Sequence, residues 1–241
     1  YVPMINLLSI LKNWEQKKSS DSFQVVEFFG TPGSGKTHLS DIAYRKLNKN
    51  ATDVVSKLSV TIGKIGSMKR VIIKIFFVFY LIIINFSIVL NIIKLVGEFH
   101  SKVDCILIKL LFNFLYVVGM IRFCKNHNQI SIMDQGVSQS IWSCIFHGNN
   151  VNYNCETASS LLLIIFSKIK LTNFLMVHVS VETDKIEARL KTRRIKGTSL
   201  LNSGNDKIIR RGVETTIKAR NFLDRVSSHT SSFSIVDCAN S

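Results

Sequence analysis

The stretch VVEFFGTPGSGKTHLSDIAYRKL, residues 25–47, decides the fold. An apolar run over 25–29 stops at Gly30, and further on the pattern turns helical, with Leu39, Ile42, Ala43 and Leu47 on one face. Between them lies Gly30-Thr31-Pro32-Gly33-Ser34-Gly35-Lys36-Thr37, which fits G-x-x-x-x-G-K-[ST], the phosphate-binding P-loop, in a strand-to-helix setting.

Each residue type has a task there. Glycines let successive backbone N–H groups turn inward toward phosphate oxygens, a curl that a Cβ opposes. A helix starting at Lys36 adds its positive end beneath the phosphates. The pattern assigns Lys36 to the β- and γ-phosphates of ATP and the Thr37 hydroxyl to Mg²⁺. Gly30, Thr31, Pro32, Gly33, Ser34, Gly35, Lys36, Thr37 and His38 are the candidate nucleotide contacts. His38 reads as a helix-surface neighbour of the cradle rather than a catalyst. A glycine-rich turn arising by chance is the competing reading, and the flanking strand and helix argue against it.

The 241 residues suffice for one α/β domain with a helical insert. The chain begins at Tyr1, which suggests a fragment boundary or a start at Met4. Met4, Leu7, Leu8, Leu11 and Trp14 recur at helical spacing among lysines, so residues 1–22 read as an amphipathic extension, packed on the domain or lying on a membrane surface. No signal-peptide cleavage pattern follows. The formal charge is +15, and residues 185–225 hold twelve basic residues against four acids. Such a block suits nucleotide phosphates or anionic lipid, with nucleic acid the less favoured partner and a solvated helix face the simplest account. Five cysteines form no C-x-x-C pair and read as free thiols of a reducing, cytoplasmic compartment.

Four short apolar runs, 24–29, 130–133, 174–179 and 233–236, read as strands of a parallel sheet. They end at Gly30, Asp134, Ser180 and Asp237, where open α/β sheets bind their ligands. Glycine, serine and asparagine cluster over 197–206 as a loop. The segment 71–121 is different in kind. Residues 75–93 are apolar nearly all round, interrupted at Asn85, Ser87 and Asn91, and 103–121 contains Asp104, Lys109 and Asn113. Either stretch matches the ~20 residues a bilayer requires. An insert that leaves one strand and returns to another of the same sheet crosses a membrane twice or not at all. A buried or membrane-resting helical pair is the preferred reading and a membrane hairpin the alternative, since a central Asp or Lys costs about 2.5–3.5 kcal/mol on insertion.

Residues 130–136, ISIMDQG, have the form of a strand ending in the acid that holds Mg²⁺, which makes Asp134 the second candidate metal ligand beside Thr37. Asp134 is not followed by the x-x-Gly of GTPases, NKNA at 48–51 lacks the base-reading Asp, and no L-S-G-G-Q is present. His178 lies inside a strand pattern and reads as a packed histidine.

With the P-loop, IMDQGVSQSIW and MVHVSVETDKIEARLKTRRIKGTSLL in view, the chain resembles the nucleoside and nucleotide kinases, in particular thymidylate-kinase-like proteins. The resemblance implies that Arg189, Arg193 and Arg194 belong to a lid at about 185–205 closing over the phosphates. It implies also that 237–239 border the nucleotide base. Gln135 stands where that family has Arg, and 71–121 is greasier than the family's substrate segment.

The expected fold is therefore an α/β P-loop NTPase fold over 23–241, a parallel sheet flanked by helices with an apolar helical insert. The expected function is an ATP- and Mg²⁺-dependent phosphotransferase with a small acceptor, using Lys36, Asp134, Arg189, Arg193 and Arg194 in catalysis. The alternatives are an NTPase that drives a conformational change and a membrane-associated nucleotide-binding protein.

Overall fold

The computed structural model describes residues 24–50, 55–56, 67–125, 130–150, 152–171, 173–193 and 206–239. The expected extension at 1–22, Arg194 and the remainder of the lid, and the loop as far as 205 lie outside them. Among the described residues, five strands form one sheet, β1 (Gln24–Phe29), β2 (Val55–Ser56), β3 (Ile130–Met133), β4 (Asn173–Ser180) and β5 (Phe233–Ala239), in the order β2-β3-β1-β4-β5. All pairs are parallel, with Val25 opposite Ser131 on one side and Phe174 on the other. The chain moves outward from β1 through α1 (Lys36–Asn50) to β2, returns to β3, then crosses to β4 on the far side of β1. That reversal opens a crevice at the carboxyl ends of β1 and β3, where the P-loop emerges.

β1 is buried on both faces, as the centre of a parallel sheet must be. Val26 and Phe28 pack with Ile132, Leu175 and Val177 against Leu39, Ala43 and Leu47 of α1. Val25 and Phe29 face the other way, into a much larger core that takes in the insert and the remaining helices.

The insert is three helices rather than the expected pair: α2 (Ser67–Ile84), α3 (Phe86–Phe99) and α4 (Cys105–Lys125). Residues 75–93, apolar apart from Asn85, Ser87 and Asn91, are bent by 114° at Asn85. The Asn85 N–H closes α2 on Leu81 O at 2.9 Å, and its side chain accepts the Ile88 N–H at 3.3 Å to start α3. A capping asparagine ends one helix and opens the next, so one of the polar interruptions of the apolar run is the break itself. Asp104 likewise opens α4, accepting N–H bonds from Ile106 and Leu107 at 2.9 and 2.8 Å, so it lies at a helix start and not within a span. α3 buries Ile88, Ile92, Leu95, Val96 and Phe99, packing chiefly on α6 (Cys155–Lys168), and α4 is buried throughout 116–121. α4 is the one described helix long and apolar enough to cross a membrane alone. At Gly119 it meets α2 so closely that a Cβ would stand 2.3 Å from Phe77 O. The other helices are α5 (Val137–His147), α7 (Thr183–Arg193) and α8 (Asp206–Ser228).

Candidate active site

The P-loop takes the curl its glycines permit. Gly33 and Gly35 hold φ of 96° and 91°, conformations that L side chains avoid. Gly30 passes so near β4 that a Cβ would lie 2.5 Å from Val179 O. Ser34 N–H to Thr31 O at 3.0 Å closes the turn, and Leu39 N–H to Gly35 O at 3.1 Å starts the α1 ladder. The loop is braced from behind. The buried Thr31 hydroxyl donates to Thr216 Oγ1 of α8 at 3.0 Å, and the Trp142 indole of α5 donates to the same oxygen at 3.0 Å. Thr31 therefore anchors the loop with its side chain and has only its backbone to offer a ligand.

Lys36 Nζ is held over the loop by Gly30 O at 2.7 Å and Thr31 O at 3.2 Å. The Thr37 hydroxyl donates to Asp134 Oδ2 at 3.1 Å, so the two expected metal ligands, 97 residues apart, meet at the carboxyl ends of β1 and β3. A hydroxyl and a carboxylate at this spacing beside a basic loop form the hard-oxygen pair that Mg²⁺ prefers, and the remaining ligands would come from phosphate and water. His38 is exposed at the rim of the same cavity. α7 lies against the loop, with Ile186 and Leu190 next to Gly33 and Arg189 Nη1 3.5 Å from Gly33 O. Arg193 closes α7, while its side chain, like the whole of Arg194, is outside the described residues.

Glu27 was invisible within the apolar run. Its carboxylate is fully buried and accepts three backbone N–H bonds, from Gly136 (3.0 Å) and Gln139 (3.1 Å) at Oε1 and from Ser138 (3.0 Å) at Oε2. It thus caps α5 and ties the Asp134 loop to the P-loop strand. A Cβ at Gly136 would lie 2.6 Å from the carboxyl group, so a larger residue there would have to displace Glu27. Burial pushes the Glu27 pKa up to about 7, against the downward pull of those N–H bonds. The signal was present as a lone acid in a strand with no polar neighbour, and period-two counting passes over it.

One cavity adjoins the loop and a second lies beside the first. The first, of about 450 Å³, is lined by Pro32, Lys36, Thr37, Asp134 and, from α5, Trp142 and Phe146, whose rings stack at 4.7 Å. The other, about 180 Å³, is lined by Lys74, Asn113, Tyr116 and Ser140. Gln135, Gln139 and Ser143 line both. Lys74 Nζ donates to Asn113 Oδ1 at 3.1 Å and stands 5.2 Å above the Tyr116 ring. Gln139 Oε1 is buried and has no hydrogen-bond partner among the described residues. The insert therefore does present polar side chains to the site: Asn113, expected only as an interruption of an apolar stretch, together with Lys74 and Tyr116.

At the ends of β4 and β5, His178 Nδ1 lies 2.8 Å from Asp237 Oδ1, and Arg220 Nη2 lies 3.3 Å from Asp237 Oδ2. Burial would raise the Asp237 carboxyl, but the hydrogen bonds from His178 and Arg220 outweigh it and hold the group below its usual range. His178 is lowered by its own burial in spite of Asp237. The half-buried histidine is thus paired rather than merely packed.

No family model matches the chain, and no curated protein matches it. Among solved structures it is similar to deoxyadenosine kinase from M. mycoides, with bound dCTP (TM-score 0.44, 14% identity, 89% of this chain and 90% of that chain). The same enzyme with bound dATP gives a TM-score of 0.45, and with the products dCMP and a flexible dCDP 0.46, each at 14% identity over 89% of this chain and 91% of that one. The chain's own architecture carries the conclusion: a parallel α/β sheet with its phosphate loop on the central strand and an acid on the adjacent one is a P-loop NTPase fold.

Proposed function

We propose that this chain is an ATP- and Mg²⁺-dependent phosphotransferase acting on a small hydroxyl- or phosphate-bearing acceptor. One observation carries the reading. Beyond the cradle formed by Lys36, Thr37 and Asp134 there is a second cavity, sharing a wall of Gln135, Gln139 and Ser143 and closed by side chains of the insert. Hydrolysis alone needs only water, whereas transfer needs a place to hold a second molecule.

In this reading the curled backbone and the α1 N-terminus receive the β- and γ-phosphates, and Lys36 exchanges its carbonyl partners for phosphate oxygens. Thr37 and Asp134 would hold Mg²⁺, which would supply charge to neutralise the phosphates. Arg189, with Arg193 and Arg194 beyond it, supplies planar cations to the transferring group. The stacked Trp142–Phe146 pair gives the nucleotide side of the cavity an apolar wall. Lys74, Asn113 and Tyr116 orient the acceptor, and Gln139 Oε1 takes a hydrogen bond from one of its N–H or O–H groups. Catalysis is then positioning and charge neutralisation, with little covalent work for the protein.

The test is ADP release from Mg-ATP across a panel of nucleosides, nucleoside monophosphates and sugars. Release that depends on one acceptor class supports transfer. Release that is the same with and without every acceptor makes the chain an NTPase instead.

A further inference from the structure

The insert hides much of its apolar surface, but one helix keeps a whole apolar face outside. On α2, Met68, Ile72, Ile75, Phe76, Phe79 and Ile83 fall on one stripe and all are exposed, Ile83 by 80%. The opposite face, with Phe77 and Leu81, is the one packed on Gly119 of α4. Past the bend, the outward face of α3 carries Phe86, Leu90 and Ile93, again exposed. Scattered exposed apolar residues are ordinary in proteins, but a continuous stripe of this kind marks a contact surface.

The charges around it say what the contact is. Among the described side chains of 67–125, the exposed charges are Lys69, Lys94, Lys102 and Lys109, all positive. The two acids, Glu98 and Asp104, are half-buried, and Asp104 is occupied by His100 and the α4 N–H groups. A two-fold contact with a second copy would bring this patch against itself, lysine toward lysine, with no acid in the patch to pair them. A sheet of anionic headgroups over an acyl boundary complements both features at once.

Packing opposes spanning. β1 and β3 lie side by side in one sheet, and the fully buried Ile88, Ile92 and Leu95 of α3 belong to the domain core, so the insert cannot leave the domain without opening it. We infer that the outer face of α2 and α3 is a membrane-docking surface: it rests on an anionic bilayer, its lysines at the headgroups and its apolar stripe in the acyl boundary. This stands independently of the phosphotransferase reading.

The experiment is cosedimentation of the full chain with vesicles of phosphatidylcholine, with and without phosphatidylserine. Pelleting with the phosphatidylserine vesicles, weakened by salt and absent with phosphatidylcholine alone, is expected. The variant Phe79→Ser with Ile83→Ser removes exposed side chains only, so its folding midpoint should stay in place while vesicle affinity falls at least about tenfold. Lys69→Glu with Lys94→Glu should weaken binding to the anionic vesicles as well. Protein left in the supernatant, equal pelleting on neutral vesicles, or pelleting that both variants retain would each overturn the proposal. So would a concentration-dependent dimer that disappears in the Phe79→Ser, Ile83→Ser variant and accounts for the whole effect.

Discussion

The phosphate cradle and the helical insert face each other across Gln135 and Gln139, and they are built on opposite plans. The cradle acts through backbone. Its N–H groups, the φ of Gly33 and Gly35, and the close pass of Gly30 under β4 do the shaping, and Lys36 and Thr37 add one charge and one hydroxyl. The insert acts through side chains carried by two helices, Lys74 on α2 with Asn113 and Tyr116 on α4, brought together by the close approach at Gly119. A backbone site constrains residue identity at fixed spacing in a short segment. A side-chain site on packed helices asks only that two faces fit, and distant residues share the task.

Glu27 is the seam between the two plans, so removing it should have the largest effect. In Glu27→Ala three buried N–H groups of the α5 start lose their acceptor, and a loss of about 3 kcal/mol or more is expected in urea unfolding. The same carboxyl sets a pH dependence. Its folded pKa, about 7, lies above its ordinary 4.5, so between these values the folded protein keeps a proton that the unfolded chain has released. Stability should therefore fall as pH rises from about 4.5 to about 7, by about 3 kcal/mol from this group, and level off above. Glu27→Gln should remove that slope.

On the insert side, Gly119→Ala forces a Cβ against Phe77 O. A cost of about 1–3 kcal/mol in stability is expected, with Mg-ATP affinity unchanged because the cradle is not touched. A shift in nucleotide affinity would show that the two regions are coupled more tightly than their shared wall suggests. The smallest effect should come from that wall. Gln139→Ala should raise the acceptor KM about tenfold, the worth of one hydrogen bond, and leave KM for ATP in place. An equal rise in both would place Gln139 on the nucleotide instead.

The difference between the plans also explains what could be read beforehand. β1, the loop, α1 and the ends of β3 and β4 were legible, because a parallel core strand is a short apolar run and a P-loop is a fixed spacing, whereas β5 runs on to Ala239, past its expected end at 236. β2 has two residues, too few for any periodicity. Glu27 escaped because its purpose is tertiary, set by backbone N–H groups more than a hundred residues away. The break at Asn85 escaped because an isolated asparagine in an apolar run reads as an interruption of one helix, and its role as a cap shows only in its backbone partners. Asn113 and Tyr116, three apart, share a face of α4, but nothing in the 39 residues between Lys74 and Asn113 marks Lys74 as their neighbour until α2 and α4 are packed.

The central claim is that the loop at 30–37 holds the phosphates of a nucleotide and that Lys36 supplies charge no neighbour replaces. Thermal unfolding with and without Mg-ATP tests it directly. Nucleotide at ~100 times its Kd should stabilise the protein by ~2.7 kcal/mol. In Lys36→Ala that stabilisation should vanish, while the unfolding midpoint without nucleotide stays near that of the unaltered chain. A chain that Mg-ATP leaves unstabilised, or a Lys36→Ala variant stabilised as strongly as the original, would contradict the account.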